Sequence, residues 1–129
     1  MEAGLKINVL VVDDNQINRL LINKVLIRWG VTADFAENGL QAVEKIENNH
    51  NYDVVLMDIY MPEMGGVEAT HLIRSKPEAY FKELPIIALT ASMLVNEVDD
   101  MEKAGMNDYI LKPFDPKNLF DKLSRYQKV

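Results

Sequence analysis

Five polar side chains stand where short apolar runs of the chain stop. Asp13 and Asp14 follow INVLVV (Ile7–Val12), Asp58 follows VVLM (Val54–Met57), Thr90 follows IIAL (Ile86–Leu89) and Lys112 follows YIL (Tyr109–Leu111). Taken singly, a polar residue after an apolar run is ordinary loop; five with one joint chemistry are not. Two carboxylates ~4 Å apart repel by about 4 kcal/mol at an effective dielectric of ~20. Three in one pocket would therefore force one of them to hold a proton, unless a hard cation relieved the conflict. Mg²⁺ suits such a set, because it binds through one or two carboxylates, keeps several waters and accepts phosphate oxygens. Nothing in the chain matches the Asp-x-Asp-x-Asp-Gly loop of a Ca²⁺ site, and His50 and His71 are the only histidines. Lys112 supplies a point charge for one phosphoryl oxygen and Thr90 a hydroxyl for another. Phosphoryl transfer needs mainly positioning and charge neutralisation, so this small set is sufficient. Asp58, ending a central strand, is the expected acceptor, and aspartyl phosphates are an established covalent class.

The elements that must position these groups follow from the patterning. Ile7–Val12, Thr32–Ala36, Val54–Met57, Ile86–Leu89 and Tyr109–Leu111 are strand-sized, and the near-continuous apolar ones suit strands buried on both faces. Helices are expected over 16–29, after Asn38, over 67–75, over 96–104 and from about Pro116. The first should turn Ile17, Leu21 and Val25 inward, with Leu20 beside them, and end at Gly30. The second, capped by Asn38, should bury Leu40, Val43 and Ile46. The last should bury Leu119, Phe120 and Leu123, while Lys76–Leu84 reads as a polar connection. Strand–helix alternation repeated five times implies an α/β parallel sheet covered on both faces. Ligands then bind outside the carboxyl ends of the strands, where all five polar residues would converge.

Composition narrows the class. The chain has 129 residues, 48% hydrophobic and 26% charged, enough for one domain with a single sizeable core. A formal charge of −6 argues against direct nucleic-acid binding, which needs a clustered basic surface. Cysteine is absent, which excludes disulfides and thiolate metal sites. No apolar run approaches the ~20 residues that span a bilayer, and Met1–Lys6 does not open a secretory signal, so a cytoplasmic domain without membrane contact is expected.

Four segments, VVDDN, MDIYMPEMGG, IIALTAS and YILKPF, resemble in order and spacing the receiver domains of two-component response regulators, from Ile7 to about Leu123. The resemblance implies a flavodoxin-like (βα)5 doubly wound sheet, strand order 2-1-3-4-5, forming one receiver domain over residues 1–129 with a core of about 7–126. It implies Mg²⁺-dependent transfer of a phosphoryl group to Asp58 from a phosphohistidine on a histidine kinase or a histidine-phosphotransfer domain. Asp14 would bind the metal directly and Asp13 through water, with Asp58 and the backbone carbonyl of Tyr60 as further ligands. Lys112 would hold the phosphoryl group and Thr90 would be the switch hydroxyl. Tyr109 would turn inward when Thr90 moves, altering the face made by the 96–104 helix, the 109–111 strand and the last helix. A phosphorylation-dependent homodimer is one outcome of such a switch. The Lys112-Pro113 bond is expected to be cis. A receiver of this kind promotes its own phosphorylation and dephosphorylation.

The stretches EMGGVEATHLIR, ALTASM and AGMNDYILKPF most resemble receivers attached to hybrid sensor histidine kinases. The chain is accordingly expected to be a segment of such a kinase, whose parent would be a histidine kinase and could be membrane-anchored. A freestanding receiver is the alternative. Gly65-Gly66 replaces the commoner Asp-Gly, and since both glycines tolerate positive φ the turn should survive. Tyr60 is bulkier than the Asn of some relatives and, with Ser92, should govern water access to the acyl phosphate. An aspartate-nucleophile phosphatase would need a second Asp at position 60. A flavin module would need glycines and hydroxyls where Asp13 and Asp14 stand. Intact acidic, hydroxyl and lysine positions speak against a receiver that signals without phosphorylation. The remaining features read as packing or surface: Trp29 as an anchor, Met57 as core, Met93, Met101 and Met106 as packing around a helix, His50 and His71 as exposed.

Overall fold

The structure is a computed structural model that describes residues 4–91 and 94–127. Five parallel strands, β1 (Asn8–Val12), β2 (Thr32–Ala36), β3 (Val54–Asp58), β4 (Ile86–Thr90) and β5 (Asp108–Leu111), form one sheet in the order β2-β1-β3-β4-β5. Between and after them come α1 (Gln16–Arg28), α2 (Gly39–Asn48), α3 (Gly66–Ser75), α4 (Ala79–Glu83), α5 (Val95–Ala104) and α6 (Pro116–Ser124). This is the flavodoxin-like doubly wound architecture expected. Strand order reverses between β1 and β3, which opens a crevice above their carboxyl ends.

Period-two alternation divides the core into two layers. Leu10, Val12, Val55, Met57, Ile86 and Ala88 face α2, α3, α4 and α5, whereas Val9, Val11, Val54, Leu56, Ile87 and Leu89 face α1 and α6. Each of these side chains larger than Ala88, buried on folding, contributes about 1.5–3 kcal/mol. Trp29 anchors the second layer, edge-on to Phe120 with centroids 5.0 Å apart. Met57, Met101 and Met106 are core, and His50 and His71 are exposed, as read; Met93 lies outside the described residues. His50 is also stacked on Tyr80, its ring 4.7 Å away.

Helix ends follow their residues. Asn15 caps α1 by accepting from the backbone N–H groups of Ile17 and Asn18, and Asn38 caps α2 by accepting from that of Gln41. Gly30 (φ 72°) follows α1 in the left-handed region, and Val31 N–H returns to the Leu26 carbonyl.

Three expectations are corrected. α1 is rotated by about one residue, so that Ile22 and Leu26 are buried while Ile17 (66% exposed), Leu20 (54%) and Leu21 (48%) face outward. The helix is apolar almost all round, and only its packing on β1 and β2 selects the buried stripe. Leu40 is likewise exposed, and Ala42 takes its inward place. Residues 76–84 contain the short helix α4, which sets Phe81 into the core and leaves Tyr80 partly buried against it.

Candidate active site

Backbone pairing carries the side chains expected at the site to one rim. Asp13 directly follows β1, its N–H continuing the ladder to the Ala36 carbonyl at 3.1 Å. Asp58 is the last residue of β3, opposite Leu89. Thr90 ends β4 and is buried, with β5 running alongside it; Lys112 N–H donates to the Thr90 carbonyl at 2.8 Å. Lys112-Pro113 is cis, as expected.

The sequence-predicted residues meet as an ionic cluster. Lys112 Nζ lies 2.9 Å from Asp13 Oδ2 and 3.0 Å from Asp58 Oδ2. Asp14 is exposed beside them, and Asp13, Asp14 and Asp58 each offer an oxygen within 4.8 Å of the others. Burial raises the Asp58 carboxyl above the usual carboxylate range and the Asp13 charge adds to this, against the opposing pull of Lys112 and of the Tyr60 N–H. Lys112 itself is raised: burial alone would lower it, but the two carboxylates it bonds outweigh that penalty.

Three carboxylates against one ammonium leave the rim with surplus negative charge, and their spacing fits a small oxygen-seeking divalent cation. Asp13 is fully buried and held on every side. Its Oδ1 accepts the Asn15 N–H at 2.9 Å, Asn18 Nδ2 lies 3.4 Å from Oδ2, and Arg19 donates to its carbonyl at 2.6 Å. These supporting residues were not found from the sequence; their only signal is their position on the first turns of a helix that starts at the rim.

The glycine pair works differently from its expected role. Neither Gly65 (φ −80°) nor Gly66 adopts positive φ; the left-handed residue of this loop is Glu63 (φ 66°). What the glycines supply is room. A Cβ on Gly65 would lie 2.6 Å from the Ile59 carbonyl oxygen, and one on Gly66 would overlap the carbonyl oxygen of Asp58 itself. Gly66 N–H also bonds the Ile59 carbonyl at 2.8 Å, so the start of α3 is drawn tightly against the end of β3.

Tyr60 stands just beyond Asp58 with its ring exposed, and Ser92, its expected companion, lies outside the described residues. Tyr109 on β5 is 41% exposed, its ring turned outward toward α6. From Asp13 and Lys112 a groove of about 490 Å³ runs between α1 and α6, lined by Leu21, Val25, Leu89 and Phe114 among others.

Comparison with known proteins accords with this geometry. Residues 9–124 match the family profile described as response regulator receiver domain. The chain is 40% identical over 126 residues to hybrid signal transduction histidine kinase G of Dictyostelium discoideum, covering 96% of this chain and 4% of that protein. It thus spans only a small fraction of the length of the curated relatives it matches. Among solved structures, the receiver domain of sensor histidine kinase PA1611 from Pseudomonas aeruginosa is 37% identical, with TM-score 0.84 over 96% of this chain and 98% of that one. Its structure has a magnesium ion coordinated in the active site cleft. The co-crystal structure of the Saccharomyces cerevisiae histidine phosphotransfer protein Ypd1 with the receiver domain of Ssk1 matches at 28% identity. Its TM-score is 0.86, over 98% of this chain and 92% of that chain.

Proposed function

Since the chain belongs to the response regulator receiver domain family, we propose that it accepts a phosphoryl group on Asp58 from a phosphohistidine and relays the event by changing its surface. The observation that carries this is the bridge from Lys112 Nζ to both Asp13 and Asp58, at 2.9 and 3.0 Å, beside the third carboxylate of Asp14.

Asp13, Asp14, Asp58 and the Tyr60 carbonyl are the residues we assign to hold Mg²⁺, whose bound charge neutralises phosphoryl oxygens. An oxygen of Asp58 attacks phosphorus as the phosphorus–nitrogen bond to the donor imidazole breaks, leaving an acyl phosphate and a histidine that regains a proton. Lys112 keeps its charge throughout and turns from the acceptor carboxylate to a phosphoryl oxygen. The Thr90 hydroxyl, at the end of the neighbouring strand, then follows that oxygen, and Tyr109 fills the space it vacates. The α5–β5–α6 face then presents a different shape to its partner.

The donor must reach the rim, and the surface beside it supports a protein donor. Ile17, Leu20 and Leu21 are exposed on α1, next to the groove that ends at Asp13 and Lys112. We assign this patch to a histidine-phosphotransfer domain or the corresponding part of a histidine kinase. Among the described residues no helix is long and apolar enough to cross a membrane; we place the domain in the cytoplasm, without nucleic-acid contact, as the receiver segment of a hybrid histidine kinase. Dimerisation on phosphorylation would use the α5–β5–α6 face.

Mg²⁺-dependent labelling by a small phosphodonor or a phosphorylated histidine-phosphotransfer domain tests the reading. Asp58→Asn should abolish base-labile label, whereas Thr90→Ala should keep the label and blunt the surface change. Undiminished base-labile label on the Asp58→Asn protein would overturn the assignment.

A further inference from the structure

On the face assigned to signal output, one cation is fastened beside the ring of Tyr109. Lys122, on α6, lies with Nζ 2.8 Å from Asp108 Oδ1 and 5.5 Å from the centroid of the Tyr109 ring. Both side chains of the ion pair are mostly enclosed, at 16% and 17% exposure, so the pair is screened less than a surface bridge. Asp108 is itself fixed: its Oδ1 also accepts the Tyr109 N–H at 2.8 Å, and Arg125 approaches its Oδ2 at 3.4 Å. The ammonium is therefore held in place by a carboxylate on the residue preceding Tyr109, within the distance at which a cation attracts an aromatic face.

We propose that Lys122 is a positioning residue for the switch, holding Tyr109 in its outward orientation until phosphorylation. The proposal rests on the reading of Tyr109 as the ring that turns inward. The Asp108–Lys122 pair does not depend on where the ring lies, so of these two contacts of Lys122 only the one to the ring differs between the two orientations. A contact can bias an equilibrium only through such a difference. Loss of this contact should raise the ratio of inward to outward Tyr109 by about two- to fivefold, as expected for a partly exposed cation–ring pair. While the outward orientation predominates, a phosphoryl mimic that binds only the inward state must then bind more tightly by nearly the same factor.

The test uses the 129-residue chain carrying 3-fluorotyrosine, with Tyr109→Phe to assign the Tyr109 resonance, titrated with beryllofluoride in Mg²⁺. In Lys122→Met the free-state Tyr109 resonance should move toward its beryllofluoride-bound position, and half-saturation should fall about two- to fivefold. Lys122→Arg, which keeps both the cation and the pair, should behave as wild type. Wild-type binding with an unchanged Lys122→Met resonance and half-saturation would overturn the proposal while leaving the phosphoacceptor reading intact. So would Lys122→Arg behaving like Lys122→Met, since that would mark a general packing role. Failure of the wild-type chain to bind beryllofluoride would instead overturn the phosphoacceptor reading, and this proposal with it.

Discussion

Replacing Lys112 by methionine removes the ammonium that joins Asp13 to Asp58 while keeping a side chain of similar length. The carboxylates of Asp13 and Asp58 then face each other with oxygens no more than 4.8 Å apart. At an effective dielectric of ~20, two unit charges at that separation repel by about 3.5 kcal/mol. The Lys112 side chain is 22% exposed, so water reaches the cluster and the net loss should be nearer 2–3 kcal/mol. That is about a 30- to 150-fold change in the unfolding equilibrium. Urea unfolding in EDTA should show a lower midpoint for Lys112→Met than for wild type, and millimolar Mg²⁺ should restore more stability to the variant. Acid should narrow the gap as well. Asp58 is already held above the usual carboxylate range, and loss of Lys112 removes the main force pulling it down. A carboxyl whose folded pKa lies above its unfolded value contributes stability below the unfolded value and loses it as pH rises through the folded one. The variant should therefore gain on wild type as pH falls from neutrality toward the carboxylate range. Equal midpoints in EDTA, with no added response to Mg²⁺ or acid, would refute the packing of these carboxylates against one another.

Other perturbations report on the scaffold. Arg74 donates to the carbonyls of Gly105 (2.8 Å) and Phe81 (2.8 Å) and to Asn107 Oδ1 (2.9 Å), tying α3 to α4 and to the end of α5; Arg74→Ala should cost about 2–4 kcal/mol in urea unfolding while leaving Asp58 labelling intact. Gly66→Ala places a methyl on the Asp58 carbonyl and should lower both stability and the rate of labelling, whereas an alanine at exposed Ser75 should do neither. Tyr52 and Tyr80 are pushed up to about 12, chiefly by burial, with the Asp34 carboxylate beside Tyr52 adding to its shift. Absorbance titration should show these two ionising well after an ordinary tyrosine. Since their folded values exceed the unfolded one of 10.0, the stability they contribute is complete below pH 10 and is lost as pH rises toward 12.

The order of elements was legible because apolar runs buried on both faces leave a continuous signal, and because Asn38, Gly30, Gly105 and Pro116 punctuate the chain at helix ends. Asp13, Asp58, Thr90 and Lys112 could be collected from the sequence for a topological reason: in a parallel sheet every strand delivers its last residue to the same rim. Single residues at strand ends thus carry spatial information, although Asp13 and Lys112 are separated by 99 positions.

Tertiary packing decided what local pattern could not. α1 presents apolar residues around most of its circumference, and only contact with the sheet chose Ile22 and Leu26 for the core, leaving Ile17, Leu20 and Leu21 outside. The glycines after Met64 were expected to serve by tolerating positive φ; the folded chain asks instead for the absence of a Cβ, because α3 starts against the Asp58 carbonyl. Lys112 bridging two acids, Arg19 reaching the Asp13 carbonyl, and Lys122 lying over Tyr109 depend on side chains from different elements meeting at a few ångströms. Residue order and type specify which elements form and which ends they share. Distances between side chains on separate elements exist only once the layers have packed, and the electrostatics of the rim depends on those distances.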